Sequence, residues 1–170
     1  DVKKCGKMRK ILFCILIYSS LVYSGDYSTD LCVGTSLSLN RLGPFVSIGP
    51  NLHLGKYFSI GLHADYSWNT IKTERIGFRE GFHVPDAAVV PKLHIPINTN
   101  VGFFAELDPG FGLYIHYIRY NSASMHDVSS GFSLTCGTGV EIKSFEVGFK
   151  YKIQVLAPDR VVFYIGYLGD

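Results

Sequence analysis

Six histidines, four cysteines and 14 carboxylates are the groups in this 170-residue chain that could ligate a metal or move a proton. His53, His63, His83, His94, His116 and His126 are scattered, without the short spacing a zinc site requires. The cysteines form no CxxC pair, so neither a metal knot nor a disulfide-dense scaffold is expected. No cofactor and no metal are expected. One stretch, His126-Asp127-Val128-Ser129-Ser130, holds the residue types of an acyl hydrolase or transferase. Its members are neighbours in sequence, whereas a catalytic group is assembled in space. A solvated loop is the plainer reading, and no catalytic residue is assigned.

The remaining chemistry is charge placed at alternate positions. His63 and Asp65, Lys92 and His94, Glu106 and Asp108, Glu141, Glu146, Lys150 and Lys152 share their parity with glycine and serine. The opposite parity is apolar: Phe145, Val147, Phe149, Tyr151, Ile153 and Val155 oppose Glu146, Gly148, Lys150, Lys152 and Gln154. A period of two is the strand period. It recurs in eight segments, near 31–39, 46–54, 58–66, 87–95, 101–117, 132–142, 145–155 and 161–168. No stretch after residue 24 has a capped period of 3.6. The fold class is all-β.

Which solvent meets the apolar parity follows from composition and length. Charged residues are only 18%, while glycine numbers 18, phenylalanine 12 and tyrosine 11. In a soluble sandwich the polar face meets water and is crowded with long polar side chains. Here it is glycine, serine and isolated charges, which suits a narrow interior. The segments are also long, near the roughly 9–11 residues of a membrane-crossing strand. A closed barrel pairs every backbone group, so its apolar face can meet lipid.

The connections alternate as well. Gly55-Lys56, Asn98-Thr99-Asn100 and Lys143-Ser144 are tight turns. Residues 69–86 and 119–130 are expected to be long loops, carrying Lys72, Arg75, Phe78, Arg79, Phe82, His126 and Asp127. Outer-membrane barrels keep short turns on the periplasmic side and long loops outside. Pro50, Pro91 and Pro109 fall within strands, where local bulges are expected. Tyr66, Trp68, Tyr114, Tyr117 and Tyr120 near the outer ends, with Tyr57 and Phe145 near the inner ends, suit aromatic girdles.

The start of the chain is a different kind of segment. Lys3, Lys4, Lys7, Arg9 and Lys10 precede an apolar run, Ile11 to Ile17, and a small-residue site ending at Ser24 before Gly25. This is the pattern of a cleaved export signal, about half as long as a spanning helix. Domains are therefore expected at 1–24 (signal peptide) and 25–170 (barrel). Cleavage takes five of the 16 basic residues and one of the 14 acids, leaving 11 against 13. The balance excludes a basic nucleic-acid binder.

A family resemblance rests on these residues. The run from Gly43 to Leu52 (GPFVSIGPNL), then Gly55 to Leu62 and Tyr66, resembles the first periplasmic hairpin of the small outer-membrane β-barrel proteins of OmpA and OmpX type. The stretch from Phe103 to Leu113 is similar to that family's fifth strand, and Gly137 to Glu141 to its sixth. The resemblance implies an eight-stranded antiparallel up-and-down barrel in the outer membrane of a Gram-negative type of cell, crossing it many times; separately, a monomer is expected. The family shares architecture rather than one chemistry, so no catalytic residue transfers.

The expected function is non-enzymatic, structural or surface-adhesive. Outer-membrane lipid is the expected surround, with a host or cell-surface ligand reached through the loops. The inward charges, His63, Asp65, Lys92, His94, Glu106, Asp108, Glu141, Glu146, Lys150 and Lys152, are expected to pair as a polar plug, since an eight-stranded interior is filled by side chains. A narrow channel for small solutes is the first alternative, and an enzyme modifying lipid A the second.

Overall fold

The computed structural model describes residues 26–39, 41–72, 78–120, 123–155 and 157–169, with the side chains of Ile71 and Lys72 excepted. The proposed signal segment and Arg75 lie outside the described residues. Eight strands follow in chain order: β1 (Tyr27–Ser38), β2 (Arg41–His53), β3 (Phe58–Lys72), β4 (Phe78–Pro96), β5 (Val101–Tyr120), β6 (Ala123–Ile142), β7 (Phe145–Gln154) and β8 (Arg160–Gly169). Each pairs antiparallel with the next, and β1 closes on β8 from Thr29↔Gly169 to Leu37↔Val161. The protein is a closed eight-stranded antiparallel barrel.

Glycine and serine set the inner dimension. Ser36, Ser47, Asn51, Ser59 and Ser67 are buried, while Val33, Ile48, Leu62, Phe111, Phe132 and Ile165 on the other parity stay exposed. Gly148 lies under the Tyr164 ring, so a methyl group there would collide with it. The tight turns at one end stand as expected: Gly55 takes φ 95° and Lys143 φ 55°.

The opposite end differs from expectation. Residues 69–86 and 119–130 are not long loops. Lys72, Phe78, Arg79, Phe82, His126 and Asp127 all lie in paired strands. The ladders run on to Lys72↔Arg79 between β3 and β4, and to Tyr120↔Ala123 between β5 and β6. The β2–β3 ladder ends at Phe45↔Ser67, with Gly43 still beside Trp68, and the β6–β7 ladder begins at Ser133↔Gln154, with one further bond from Val155 N–H to Phe132 O. The upper parts of β3 to β6 therefore continue past the closed barrel as a four-stranded sheet. Phe82, expected on a surface loop, is 1% exposed and packs against Tyr114 with ring centroids 5.4 Å apart. Tyr114 and Tyr120 consequently leave the outer girdle for the inner parity.

The prolines do not make bulges. Pairing lapses between Ile48↔Ala64 and Asn51↔Gly61, and between Ala88↔Gly110 and Lys92↔Glu106, yet each ladder resumes in the same register. The fixed φ of proline fits extended backbone, and its missing N–H removes a hydrogen bond without adding a residue.

Candidate functional site

The alternation delivers the charged residues to the lumen, where they meet in tiers. Nearest the tight-turn end, Lys92 of β4 places Nζ 2.5 Å from Glu146 of β7 and 3.5 Å from Asp30 of β1. Above it, Lys150 lies 2.8 Å from Glu106 and 3.4 Å from Asp108, both on β5. Lys152 then reaches Asp65 on β3 at 3.3 Å and Asp86 on β4 at 2.7 Å. Arg160 of β8 tops the stack, donating to Ser67 Oγ at 2.6 Å and Gln154 Oε1 at 2.8 Å.

Each lysine thus stands between two carboxylates, and every one of these groups is buried. Burying an unpaired charge costs several kcal/mol, so the pairs are needed once the residues face inward. The bridges also close the lumen, because Lys152 to Asp65 and Arg160 to Ser67 join strands on different sides of the ring. Apolar and aromatic surface fills between them. Lys92 Nζ sits 4.4 Å from the Phe104 ring centroid and Lys150 Nζ 5.2 Å from that of Tyr164. Phe45, Val162 and Cys32 complete that cluster.

His63 hydrogen-bonds Asn51 at 3.2 Å and lies 3.7 Å from Asp30. His94 and Glu141 lie lower and are only partly buried. They pair at 2.8 Å in a mouth cavity of about 250 Å3, which His53, Lys56, Lys143 and Asn98 also line. The structure therefore brings eight of the ten inward residues into the tiers or against them, and leaves this pair at the rim.

Asp30, Asp86 and Arg160 were missed from sequence. Each shares the inward parity of its strand but lay at or beyond the ends assigned to the segment. Extending the alternation by one or two residues would have found them. Cys32 is a buried free thiol 3.3 Å from Glu146 Oε1, and Cys136 is free and exposed.

The projecting sheet carries the second group of charges. On its inner parity His116 Nε2 lies 2.8 Å from Glu80 Oε1. His126 and Asp127, being consecutive in a strand, point to opposite faces and do not form a catalytic pair. On the outer parity Trp68 stacks on His83 with centroids 5.5 Å apart, and its indole N–H donates to the Tyr117 hydroxyl at 3.4 Å. The Tyr66 hydroxyl hydrogen-bonds His83 Nδ1. Among the described residues no group of three or more His, Cys, Asp or Glu is placed to hold a metal ion.

A closed eight-stranded barrel with an exposed apolar outer face and a charged interior is the architecture that small outer-membrane barrels have. Solved structures share the fold. The attachment invasion locus protein Ail of Yersinia pestis superposes with TM-score 0.53 at 13% identity, over 85% of this chain and 98% of that one. Neisserial surface protein A gives 0.58 at 10%, over 84% and 94%. The N-terminal barrel domain of Pseudomonas aeruginosa OprF gives 0.56 at 9%, over 85% and 99%. Ail has also been solved in complex with the heparin analogue sucrose octasulfate. No protein-family model and no curated protein matches the chain.

Proposed function

We propose that this protein is an outer-membrane barrel that presents its projecting β3–β6 sheet outside the cell as an attachment surface. One observation carries the reading. The outward parity is an uncharged, predominantly apolar band, with Ile48 51%, Leu62 58%, Phe103 49%, Phe132 54% and Ile165 57% exposed, around an interior of buried charge. Soluble monomers rarely expose apolar patches larger than a few hundred Å2. Along β7 the band from Phe145 to Val155 rises about 25 Å, at about 3.3 Å per residue and about 40° of strand tilt. That is the height of the lipid-facing band of membrane barrels.

Residues 1–24 would direct export and be removed between Ser24 and Gly25. The ion-pair tiers act as a plug that fixes register, and they favour a sealed interior over a solute channel. The attachment role takes support from the fold shared with Ail and from the projecting sheet, whose β3 and β6 edges have no ladder partner beyond the barrel among the described residues. The protein is read as non-enzymatic and monomeric, with outer-membrane lipid around the band.

Two measurements test the reading. The barrel purified in detergent should run on a gel at different positions before and after heating. Trypsin on intact cells should cut at Arg75, which lies between β3 and β4 in sequence, or at Arg79, and spare Lys56 and Lys143 at the tight turns. Cleavage at Lys56 without breach of the membrane would invert the topology.

A further inference from the structure

We propose that the outward face of the projecting sheet seats the phosphorylated headgroup of an outer-leaflet lipid between Arg79 and Arg119. The proposal rests on the outer-membrane reading above. It starts from like charges in register. Asp65 and Asp86 are direct cross-strand neighbours, as are Glu141 and Glu146. Like charges placed opposite one another destabilise a sheet. In the barrel these pairs are answered: Lys152 bridges the two aspartates, while Lys92 takes Glu146 and His94 takes Glu141.

Arg79 and Arg119 form a third such pair, β4 against β5, and both are exposed. No ion pair joins either of them to a carboxylate among the described residues. On the outward parity of the sheet, from the Tyr66 row upward, the described residues include no acid at all. Glu80 and Asp127 fall on the inner parity, where His116 takes Glu80. The register puts Lys72 opposite Arg79 in the same row. An anion lying between the two guanidinium groups would supply what Lys152 supplies inside.

Position identifies the anion. The arginine row continues the parity of Ala87, Phe111 and Leu113, the lipid-facing side, and stands two residues above the row of Gly81 and Tyr117. Gly81 leaves room for the Tyr117 hydroxyl to reach across to Trp68. Below lie His83 and Trp68, an aromatic belt of the kind found at the level of lipid headgroups. Two guanidinium groups set just above such a belt match the phosphate of a lipid whose chains run down the apolar band.

Trp68 is the chain's one tryptophan, and it reports on this face. Folded protein in dodecyl maltoside micelles is titrated with dihexanoyl phosphatidic acid, dihexanoyl phosphatidylcholine or inorganic phosphate while Trp68 emission is followed. Phosphatidic acid should give a saturable change that the other two do not. In Arg79→Gln/Arg119→Gln its half-saturation should rise at least about tenfold. Equal titration of that variant, an equal response to phosphatidylcholine, or a response reproduced by inorganic phosphate alone would each overturn the proposal. The heat-dependent gel shift is recorded on every sample. Its absence in the parent protein would indict the barrel reading instead, and should the double variant misfold, Arg119→Gln alone, at the exposed end of β5, carries the comparison.

Discussion

Replacing Lys150 by methionine keeps most of the side-chain volume and removes the charge. The ammonium lies 2.8 Å from Glu106 and 3.4 Å from Asp108, so at an effective dielectric of about 20 the closer pair alone attracts by about 6 kcal/mol. Desolvation of the lysine offsets part of that. The larger consequence is two buried carboxylates left without their cation, and breaking a buried pair costs about 3–5 kcal/mol. The neighbouring change Phe149→Lys puts a charge on the lipid-facing parity and costs about 2–4 kcal/mol near mid-membrane. Only the first is repairable from inside the barrel. Adding Glu106→Gln and Asp108→Asn to Lys150→Met removes the stranded charges and should recover most of the loss, because a neutral replacement of a buried ionic group is often close to neutral in stability. Unfolding in urea is followed in phospholipid vesicles by Trp68 emission and by the unheated gel band. A Lys150→Met midpoint within about 0.5 kcal/mol of the parent would refute the tiered interior, since exposed polar substitutions behave that way. A loss that the triple variant does not repair would show that the lysine acts through packing instead.

Other consequences are quicker to check. Gly148→Val drives a side chain into the Tyr164 ring and the β7–β8 seam, and should destabilise the barrel by about 1–3 kcal/mol in the same urea assay. Bridges across the lumen predict that the barrel in a planar bilayer passes no steady ionic current, while Lys152→Ala with Arg160→Ala, which clears two tiers, should raise conductance if any variant does; a conducting parent protein would favour the channel reading. Mass spectrometry of the exported protein should find Gly25 as its first residue; an intact Lys10 to Tyr23 segment would refute cleavage and point to an uncleaved apolar anchor.

The barrel itself was legible because two demands met in one period. Lipid favours uncharged, mostly apolar residues at the outward positions, and a narrow lumen favours small, aromatic or charge-paired residues at the inward ones. Where both apply, as from Phe145 to Gln154, the strand can be read residue by residue. The tiers were half legible. Parity put Lys92, Lys150 and Lys152 inside, but no sequence pattern says that Lys152 reaches β3 and β4 rather than β5, because that depends on how far the ring staggers between strands.

The upper sheet shows where the reading had to fail. Above the row of Trp68, His83, Ile115 and Val128 the outward positions stop being apolar: Thr70 on β3, Gly81 and Arg79 on β4, His126 and Ser124 on β6. The ladder continues there, since backbone hydrogen bonds do not depend on which solvent touches the side chains. On the proposed reading, alternation of hydropathy marks where a strand lies in lipid, and its loss within residues 69–86 and 119–130 marks the water boundary rather than the end of the strand. The same change explains the two exposed edges. A polar β6 edge such as Ser124, His126 and Ser130 makes a poorer template for nonspecific strand pairing than an apolar one. On the outer-membrane reading proposed above, free edges can survive there because they stand outside the membrane, where water satisfies the backbone groups that hydrocarbon could not.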